Sequence, residues 1–410
     1  MSHYKCRSCG AELPQTFADL GATPLANSYL EESDLDKPEH VLSLHARVCE
    51  SCFLVQLPAL ERPEKIFDEY LYFSSFSKTW LDHAKTYAEN MTKRFGLDED
   101  SLVVEIASND GYLLQFFKEK GVPVLGVEPA ANVAKHAIEK GIETRVDFFG
   151  EATAKKMKSE GLEADLMAAN NVLAHVPDIN DFVKGFEVLL KPEGVATFEF
   201  PHLLNLIREN QFDTIYHEHY SYLSLIAVEK VLERQGLEVF YVKKFPTHGG
   251  SLRAYVQKAG IGKNEIKGTV EEIRNEEIKA GLGDIETYLA FGANVKRTKR
   301  TLLSKLIAIK NEGKTIAGYG AAAKGNTLLN YCGIGRDFID CVADRNPQKQ
   351  GTYLPGSRIP VVAPEYLLET KPDYVLIFPW NIAAEVMEQN EQIREWGGKF
   401  IIPIPSAVIA

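Results

Sequence analysis

The sequence predicts an α/β fold in three parts: a small cysteine-rich N-terminal domain, a central doubly wound α/β domain, and a C-terminal Rossmann-like α/β domain. Four cysteines lie within the first 70 residues. Short apolar runs alternate with amphipathic stretches from about residue 71, and the same alternation starts again near residue 313. A chain of 410 residues is also too long for one core, because domains usually contain roughly 100–200 residues.

The central part has predicted strands and helices in regular alternation. The strands are LVVEIA, VPVLGVEP, DLMAANN and VATFEF, and helical stretches such as GYLLQFFKEKG and ANVAKHAIEKG separate them. Near its end, only PTHGG separates LEVFYVKKF from SLRAYVQK. A turn that short predicts an antiparallel pair of strands.

Residues 263–312 are rich in Glu, Lys and Leu and have almost no helix breakers, so they predict one or two long helices that join two domains. The C-terminal part then resumes the α/β pattern with KTIAGYGAAAKGNTLLNY, FIDCVADRNPQKQG, DYVLIFPWN and KFIIPIP. We therefore expect domains over residues 1–70, 71–260 and 261–410.

The composition narrows the functional class. A net charge of −11 and a pI near 5.5 disfavour a nucleic-acid partner, which would need a basic surface. No apolar run is long enough to span a bilayer, and MSHYKCRSCG lacks the apolar segment of a secretory signal. We expect a cytoplasmic protein, in which disulfides between its six cysteines are not expected.

Two Cys-x-x-Cys pairs predict a structural zinc site. Cys6 and Cys9 form the first pair, and Cys49 and Cys52 form the second. Four thiolates suit tetrahedral Zn²⁺ and leave no open position for catalysis. A redox pair or scattered structural cysteines are the alternatives, although a redox site needs only one pair. The long gap between the pairs implies a folded segment between them.

Polar residues at the ends of successive strands predict a nucleoside site. Asp110-Gly111 supplies a tight turn after the first strand, and Glu128 ends the second strand, where a carboxylate can accept both hydroxyls of a ribose. Asp147 and the aromatic rings after it could hold an adenine. We expect S-adenosylmethionine (SAM) to be bound by Glu105, Asn109, Asp110, Gly111, Glu128, Asp147, Phe148 and Asn170.

A nicotinamide-binding domain is the alternative for this pattern. It would require a G-x-G-x-x-G turn, and the turn at Asp110-Gly111 does not have that form. The antiparallel pair of strands also fits a class I SAM-dependent methyltransferase, whose sheet closes in that way. The pattern therefore favours a Rossmann-like methyltransferase domain of class I.

The loop Phe212–Tyr220 is the candidate for the chemistry. A substrate carbon can become a nucleophile for a methyl group by losing a proton beside a carbonyl, and histidine has the pKa range of a suitable base. Tyr or His could donate to the enolate oxygen. Metal binding by His217 and His219, or simple loop packing, is the alternative. His175 and His248 could line the same cleft or be ordinary core and turn residues.

The chain resembles the three-domain sugar C-methyltransferases of deoxysugar biosynthesis along essentially its whole length. It is most similar to those that methylate C-3 of dTDP-linked 4-keto-trideoxyhexoses bearing a 3-amino group. The matching motifs are the two Cys-x-x-Cys pairs, Glu105–Gly111, NxLxHxP at Asn171–Pro177, IYHEHYSYLS at Ile215–Ser224, HGG at His248–Gly250, GYGAAAKGN at Gly318–Asn326 and DRNPQKQG at Asp344–Gly351.

The resemblance implies roles for individual residues. His219 matches the family's proposed general base, and Tyr216, Glu218, His175 and Tyr70 match residues that line the sugar site. His217 is given no role. Position 107 is alanine where the family usually has glycine, a change that should be tolerated if its φ is negative. The residues expected to bind the substrate are Tyr70, Tyr72, His248, Gly249, Gly320, Lys324, Asn326 and Asp344.

The C-terminal loop Gly318–Lys324 follows a strand and opens a helix, so its amides and Lys324 suit a diphosphate. A second dinucleotide site is the alternative. The expected partner is a dTDP- or GDP-linked keto-sugar, and the expected state is a monomer. Methylation at C-5 is the nearest alternative activity, and an RNA methyltransferase or a non-catalytic scaffold would be other classes of protein.

Overall fold

The computed structural model describes residues 4–62 and 73–410, so the predicted sites at Tyr70 and Tyr72 lie outside the described residues. The chain forms two compact units. Unit 1 contains residues 1–13, 49–202 and 220–283, and unit 2 contains residues 14–48, 203–219 and 284–410. Across the described ranges, no helix combines the length and the apolar character that crossing a bilayer requires.

The strands of the two units range from two to twelve residues in length. In chain order they are β1 (Gln15–Thr23), β2 (Leu42–Val48), β3 (Val55–Gln56), β4 (Val103–Ile106), β5 (Val124–Val127), β6 (Thr144–Arg145), β7 (Ala164–Asn170), β8 (Leu190–Pro201), β9 (Ser221–Tyr222), β10 (Leu237–Phe245), β11 (Ser251–Lys258), β12 (Ile316–Tyr319), β13 (Val342–Ala343), β14 (Val361–Val362), β15 (Tyr374–Ile377), β16 (Lys399–Ile402) and β17 (Val408–Ile409).

The helices range from a single turn to seven turns. They are α1 (Lys78–Phe95), α2 (Leu114–Lys118), α3 (Ala131–Glu139), α4 (Glu151–Ser159), α5 (Ile179–Leu189), α6 (Leu203–Arg208), α7 (Leu225–Arg234), α8 (Gly268–Lys279), α9 (Ile285–Asn311), α10 (Ala323–Cys332), α11 (Tyr366–Thr370) and α12 (Ala383–Gln389).

Unit 1 is built on a seven-stranded sheet of order β10-β11-β8-β7-β4-β5-β6. Strands β4 to β8 are parallel, and β11 pairs antiparallel with both β8 and β10. All four residues of β4 are buried, as expected for a central strand covered by helices on both faces. The antiparallel pair predicted from the short PTHGG turn is confirmed, and this topology confirms the predicted fold class.

The predicted linker region forms two helices, one in each unit. In unit 1, the buried Glu277 of α8 accepts hydrogen bonds from the backbone amides of Leu225 and Ile226 at the start of α7, at 2.6 and 2.9 Å. Its Oε1 also lies 2.7 Å from Nε2 of His202, which follows β8. This carboxylate therefore satisfies the first amides of α7 and ties α8 to the sheet.

Unit 2 is built on a six-stranded sheet of order β14-β13-β12-β15-β16-β17, parallel except at β17. This order is the doubly wound one, so ligands are expected at the carboxyl ends of its strands. The segment between the two cysteine pairs also belongs to unit 2. It forms the antiparallel pair β1 and β2, and Phe17 of β1 stacks on Phe291 of α9 with ring centroids 4.4 Å apart.

Unit 1 brings the four N-terminal cysteines together. Their Sγ atoms all lie within 4.8 Å of one another, with 3.5 Å between Cys6 and Cys52 and between Cys9 and Cys49. Each pair sits in a tight turn that ends in a left-handed residue, Gly10 with φ 75° in one and Phe53 with φ 60° in the other. These distances suit four thiolates around one Zn²⁺.

We expect Cys49→Ser to release the zinc and to unfold the N-terminal turns, because a three-thiolate site binds Zn²⁺ more weakly. Elemental analysis should give about one zinc per wild-type chain and much less in the variant. Cys332→Ser is the control, since this buried cysteine belongs to unit 2. Equal zinc content in Cys49→Ser and wild-type protein would refute the site.

The turn after β4 contains three left-handed residues. Ala107 has φ 54°, Asn109 has φ 50° and Gly111 has φ 77°. Glycine suits such a backbone, but a Cβ atom makes it unfavourable. The condition under which alanine should be tolerated, a negative φ, is therefore not met, and Ala107 sits in a strained conformation at a position where the resemblance implies glycine.

Relief of this strain should stabilise the protein. The left-handed region costs an L-residue roughly 1–2 kcal/mol, and the greater unfolded-state entropy of glycine offsets about 0.4–1 kcal/mol of the gain. We expect Ala107→Gly to raise the free energy of unfolding by about 0.5–1 kcal/mol in urea denaturation. Ala152→Gly, at an exposed position of α4, should lower it by about 1 kcal/mol. A destabilised Ala107→Gly variant would contradict the strain.

Candidate active site

The carboxylate of Glu128 holds the turn between β4 and α2. Its Oε2 accepts the backbone N–H of Asn109 at 2.9 Å, and its Oε1 accepts that of Ala130 at 2.9 Å. Burial raises the pKa of Glu128, and these two amides act to lower it. Each carboxylate oxygen can accept a further hydrogen bond, so the group can still bind a pair of hydroxyls.

The side chains of the same turn face the segment that precedes α1. The backbone N–H of Ser74 donates to Oδ1 of Asn109 at 3.0 Å, and the Ser75 hydroxyl donates to Oδ2 of Asp110. Lys140 Nζ lies 3.3 Å from the same Asp110 oxygen. Oδ1 of Asp110 is buried and has no hydrogen-bond partner among the described residues, so it can accept one from a ligand.

Two further predicted residues carry buried oxygens with open hydrogen-bonding capacity. Glu105 is fully buried, and neither carboxylate oxygen has a partner of good geometry in the described chain. Burial raises the pKa of Glu105 well above its ordinary value, and the nearby Tyr112 opposes part of that rise. Asn170 Nδ2 lies 3.4 Å from the Tyr112 hydroxyl, whereas its Oδ1 has no partner in the described chain.

The residues after β6 divide between ligand-accessible and core positions. Phe148 is 41% exposed and Asp147 is also exposed, so both can meet a ligand. Phe149 instead packs edge-on against Phe182 and Phe186, with ring centroids 5.8 and 5.3 Å apart. Only the first aromatic residue of this pair is therefore available to an adenine.

Unit 1 also contains His175 and His248, the two candidate histidines that lie outside the loop Phe212–Tyr220. His175 is half-buried in the 3-10 turn Leu173–His175 that follows β7. His248 lies in the turn Thr247–Gly249, and Gly249 has φ 83°. Unit 1 therefore holds all the predicted SAM residues together with these two turns.

Tyr216, Glu218 and His219, the other predicted catalytic residues, belong to unit 2. Nδ1 of His219 lies 2.8 Å from the carbonyl oxygen of Thr214. Because a carbonyl only accepts, this contact requires a proton on Nδ1, and in the neutral ring the lone pair is then on Nε2. The rings of Tyr216 and His219 also pack together, with centroids 4.0 Å apart. The neutral ring of His219 can therefore accept a proton only at Nε2.

Glu218 lies next to His219 in the sequence and is only 6% exposed. Its Oε1 accepts a hydrogen bond from Nδ2 of Asn27 at 2.7 Å. Burial raises the pKa of Glu218 to about 7, although this hydrogen bond and the charge of Lys349 act to lower it. The carboxyl group can therefore hold or release a proton near neutral pH.

His217 has a structural environment. It is 6% exposed, and its Nε2 lies 3.3 Å from the carbonyl oxygen of Ser43. Burial lowers the pKa of His217, so the neutral form is favoured. Within residues 4–62 and 73–410, the four cysteines form the only cluster of three or more possible metal ligands. Metal binding by His217 and His219 therefore gains no support.

The loop Gly318–Lys324 of unit 2, called the glycine loop below, is held by a carboxylate in the same way as the turn after β4. Asp344, just after β13, accepts the backbone N–H groups of Ala321 and Asn346 at 2.6 and 2.7 Å. Gly320 has φ 86°, and a Cβ atom there would lie 2.6 Å from Pro379. Glycine is therefore required at this position.

The other predicted residues of unit 2 differ in their environments. Lys324 contacts Asn381 and lies 4.5 Å from the ring of Trp380, whose indole N–H donates to buried Asp213 at 2.7 Å. Asn326 is buried, and its Nδ2 donates to the carbonyl of Ala26 at 2.7 Å. Lys324 therefore lies at the loop, whereas Asn326 links the helix to the segment before β2.

Three residues that contact Glu218 or the glycine loop in unit 2 were not predicted from the sequence. Asn27 binds Glu218, and the Tyr29 hydroxyl and Lys349 Nζ both donate to the carbonyl of Ala321, at 2.5 and 2.7 Å. Lys349 lies within the DRNPQKQG motif, which was a usable signal. Asn27 and Tyr29 lie in a segment without periodicity, and nothing in the sequence connects them with the distant loop.

Models of three domain families match the chain in sequence order. A zinc binding domain matches residues 6–67, a methyltransferase domain matches residues 80–242, and a C-methyltransferase C-terminal domain matches residues 246–405. The zinc binding match contains all four clustered cysteines, and the methyltransferase match contains the turn at Asp110-Gly111 and the carboxylate of Glu128.

Individual relatives agree with these matches. The chain is 36% identical to C-methyltransferase NovU of Streptomyces niveus over 401 residues, which cover 98% of this chain and 95% of that enzyme. It is 29% identical to a ubiquinone biosynthesis O-methyltransferase of Chelativorans over 118 residues, 26% of this chain and 46% of that enzyme. A SAM-bound magnesium protoporphyrin IX methyltransferase of Synechocystis aligns with a TM-score of 0.38 and 12% identity, over 50% of this chain and 100% of that one.

The near full-length similarity to NovU, together with the three matching domains, establishes what the cysteine cluster and the turn after β4 indicate. The chain belongs to the sugar C-methyltransferase family and is a SAM-dependent C-methyltransferase with a zinc-binding N-terminal domain.

Proposed function

We propose that the protein methylates C-3 of a nucleotide-linked 4-keto-6-deoxyhexose, with His219 as the general base. The observation that carries this proposal is the contact between Nδ1 of His219 and the carbonyl of Thr214. It leaves the Nε2 lone pair as the acceptor for a proton on a carbon beside the ketone. SAM, when bound, supplies the electrophilic methyl group.

The neighbours of His219 would assist this proton transfer. The Tyr216 ring packs against the imidazole and restricts its orientation, and its hydroxyl is a candidate donor to the enolate oxygen. Glu218 would orient the sugar or stabilise the imidazolium once His219 has taken the proton. A proton retained on Glu218 near pH 7 would remove the second role, so its pKa of about 7 makes the rate depend on pH in that range.

The glycine loop of unit 2 would bind the diphosphate of the substrate. The loop between β12 and α10 has left-handed Gly320 and offers backbone amides at the start of a helix. Lys324 and Lys349 supply positive charge, and Lys349 is also close enough to Glu218 to influence its pKa. A diphosphate at this loop would set the attached sugar near Glu218.

In unit 1, Glu128 is proposed to accept the ribose hydroxyls of SAM. Glu128→Ala removes a charged acceptor worth roughly 1.5–3 kcal/mol, so calorimetry should show about tenfold or weaker SAM binding. Asp344→Ala is the matched control, since it removes the carboxylate with the same backbone contacts in unit 2. Asp344→Ala should weaken nucleotide binding and leave SAM binding unchanged. Normal SAM affinity in Glu128→Ala would rule out the ribose contact.

The His219 assignment is tested by His219→Asn, which keeps a polar side chain but removes the basic nitrogen. We expect kcat to fall roughly 10²–10⁴-fold, the usual contribution of general-base catalysis, while both ligands still bind. With S-adenosylhomocysteine in place of SAM, the wild-type enzyme should exchange the C-3 hydrogen of the sugar with solvent deuterium, and the variant should not. His217→Asn is the matched control and should retain exchange.

The position of the exchanged hydrogen also separates the two regiochemistries. Exchange at C-5 instead of C-3 would identify a C-5 methyltransferase, because both carbons flank the 4-keto group. Wild-type exchange rates in His219→Asn would exclude His219 as the base and make His175 or His248 the next candidate. A screen of dTDP- and GDP-linked keto-sugars by mass spectrometry identifies the nucleotide.

A further inference from the structure

Unit 1 contains a groove between α1 and the antiparallel pair β10 and β11, and none of its lining residues is a predicted SAM residue. Its volume is about 430 Å³, which is within the usual range for small-molecule sites. The C-terminal half of α1 forms one wall, and side chains of β10 and β11 form the floor and the other wall. The described lining residues include Lys93, Arg94, Lys243 and Arg253, and no carboxylate.

This concentration of positive charge contrasts with the rest of the chain, whose net charge is −11. Lys93, Arg94 and Lys243 are exposed, and none of them makes an ion pair within the described parts of the chain. Cations gathered without acidic partners repel one another, so the groove is complementary to an anion.

Aromatic rings hold two of these cations in place. The Arg94 guanidinium carbon lies 4.4 Å from the ring centroid of Tyr241 and 4.9 Å from that of Tyr255. Lys243 Nζ lies 5.0 Å from the ring of Phe245. Cation–π contacts of this kind reduce side-chain freedom and leave the N–H groups available to an anion.

The floor of the groove contains a buried charged cluster. Arg253 is 3% exposed, and its guanidinium donates to the fully buried carboxylate of Glu199, with a 2.9 Å contact from Nε. His83 Nε2 lies 3.0 Å from the same carboxylate. Burial acts to lower the pKa of Arg253, but Glu199 holds it above its ordinary value. The cluster thus fixes Arg253 beneath the groove.

We propose that this groove binds an organic phosphate whose non-polar part lies against its aromatic and aliphatic lining. The three exposed cations would bind the phosphate, and Met91, Phe245 and Tyr255 would contact the remainder of the ligand. None of the lining residues is a predicted SAM residue, and all of them belong to unit 1, whereas the glycine loop belongs to unit 2. The groove would therefore be a second anion site, built from residues that have no assigned role in the proposed sugar chemistry.

The experiment titrates phenyl phosphate into the zinc-loaded, S-adenosylhomocysteine-bound enzyme by calorimetry, with inorganic phosphate as the comparison probe. Phenyl phosphate should bind about tenfold more tightly than inorganic phosphate, because its ring adds apolar contact. Arg94→Ala and Lys243→Ala should each weaken phenyl phosphate binding at least about fivefold.

Two control variants locate the binding. Lys244→Ala alters the next residue of β10, whose side chain pairs with Glu276 instead of lining the groove, and should leave the affinity unchanged. Lys324→Ala should affect only phosphate bound at the loop of unit 2, and it should leave unchanged the binding that Arg94→Ala and Lys243→Ala weaken. Loss of binding in Lys324→Ala, no difference between the two probes, or normal binding in both Arg94→Ala and Lys243→Ala would overturn the proposal.

Discussion

Both α/β units depend on the same contact, a carboxylate after the second strand that accepts two backbone N–H groups. Glu128 binds the amides of Asn109 and Ala130 in unit 1, and Asp344 binds those of Ala321 and Asn346 in unit 2. In each case one amide belongs to the turn after the first strand. The contact fixes that turn, so backbone groups and remaining carboxylate lone pairs face the edge where ligands of such sheets bind.

The residues predicted to act in the reaction are divided between the two units in a way that the chain order does not reveal. Unit 1 contains the cysteine cluster and the predicted SAM residues, whereas unit 2 contains Tyr216, Glu218 and His219 together with the glycine loop. Unit 2 also includes β1 and β2, which lie between the two cysteine pairs in the sequence. The candidate base is therefore built into the same unit as the proposed nucleotide site, and the methyl-donor residues are built into the other.

Sequence reasoning succeeded where the information is local. Strand ends, the short antiparallel turn and the Cys-x-x-Cys spacing each lie within a few residues, so the two sheets and the cysteine cluster could be predicted. It failed where contacts between distant parts of the chain determine the backbone conformation or the partner of a side chain. The positive φ of Ala107 follows from the turn geometry and not from the residue type, and the contact of Asn27 with Glu218 joins positions 191 residues apart. The predicted domain boundaries remain predictions, because the compact units are discontinuous.

The central chemical claim is that His219 is neutral, carries its proton on Nδ1 and presents Nε2 as the base. Nitrogen-15 NMR of histidine-labelled enzyme at neutral pH tests this directly, with the His219 signals assigned by their loss in His219→Asn. The geometry predicts a pyrrole-like shift for the protonated Nδ1 and a pyridine-like shift for Nε2. A proton on Nε2, or a doubly protonated ring at neutral pH, would contradict His219 as the general base.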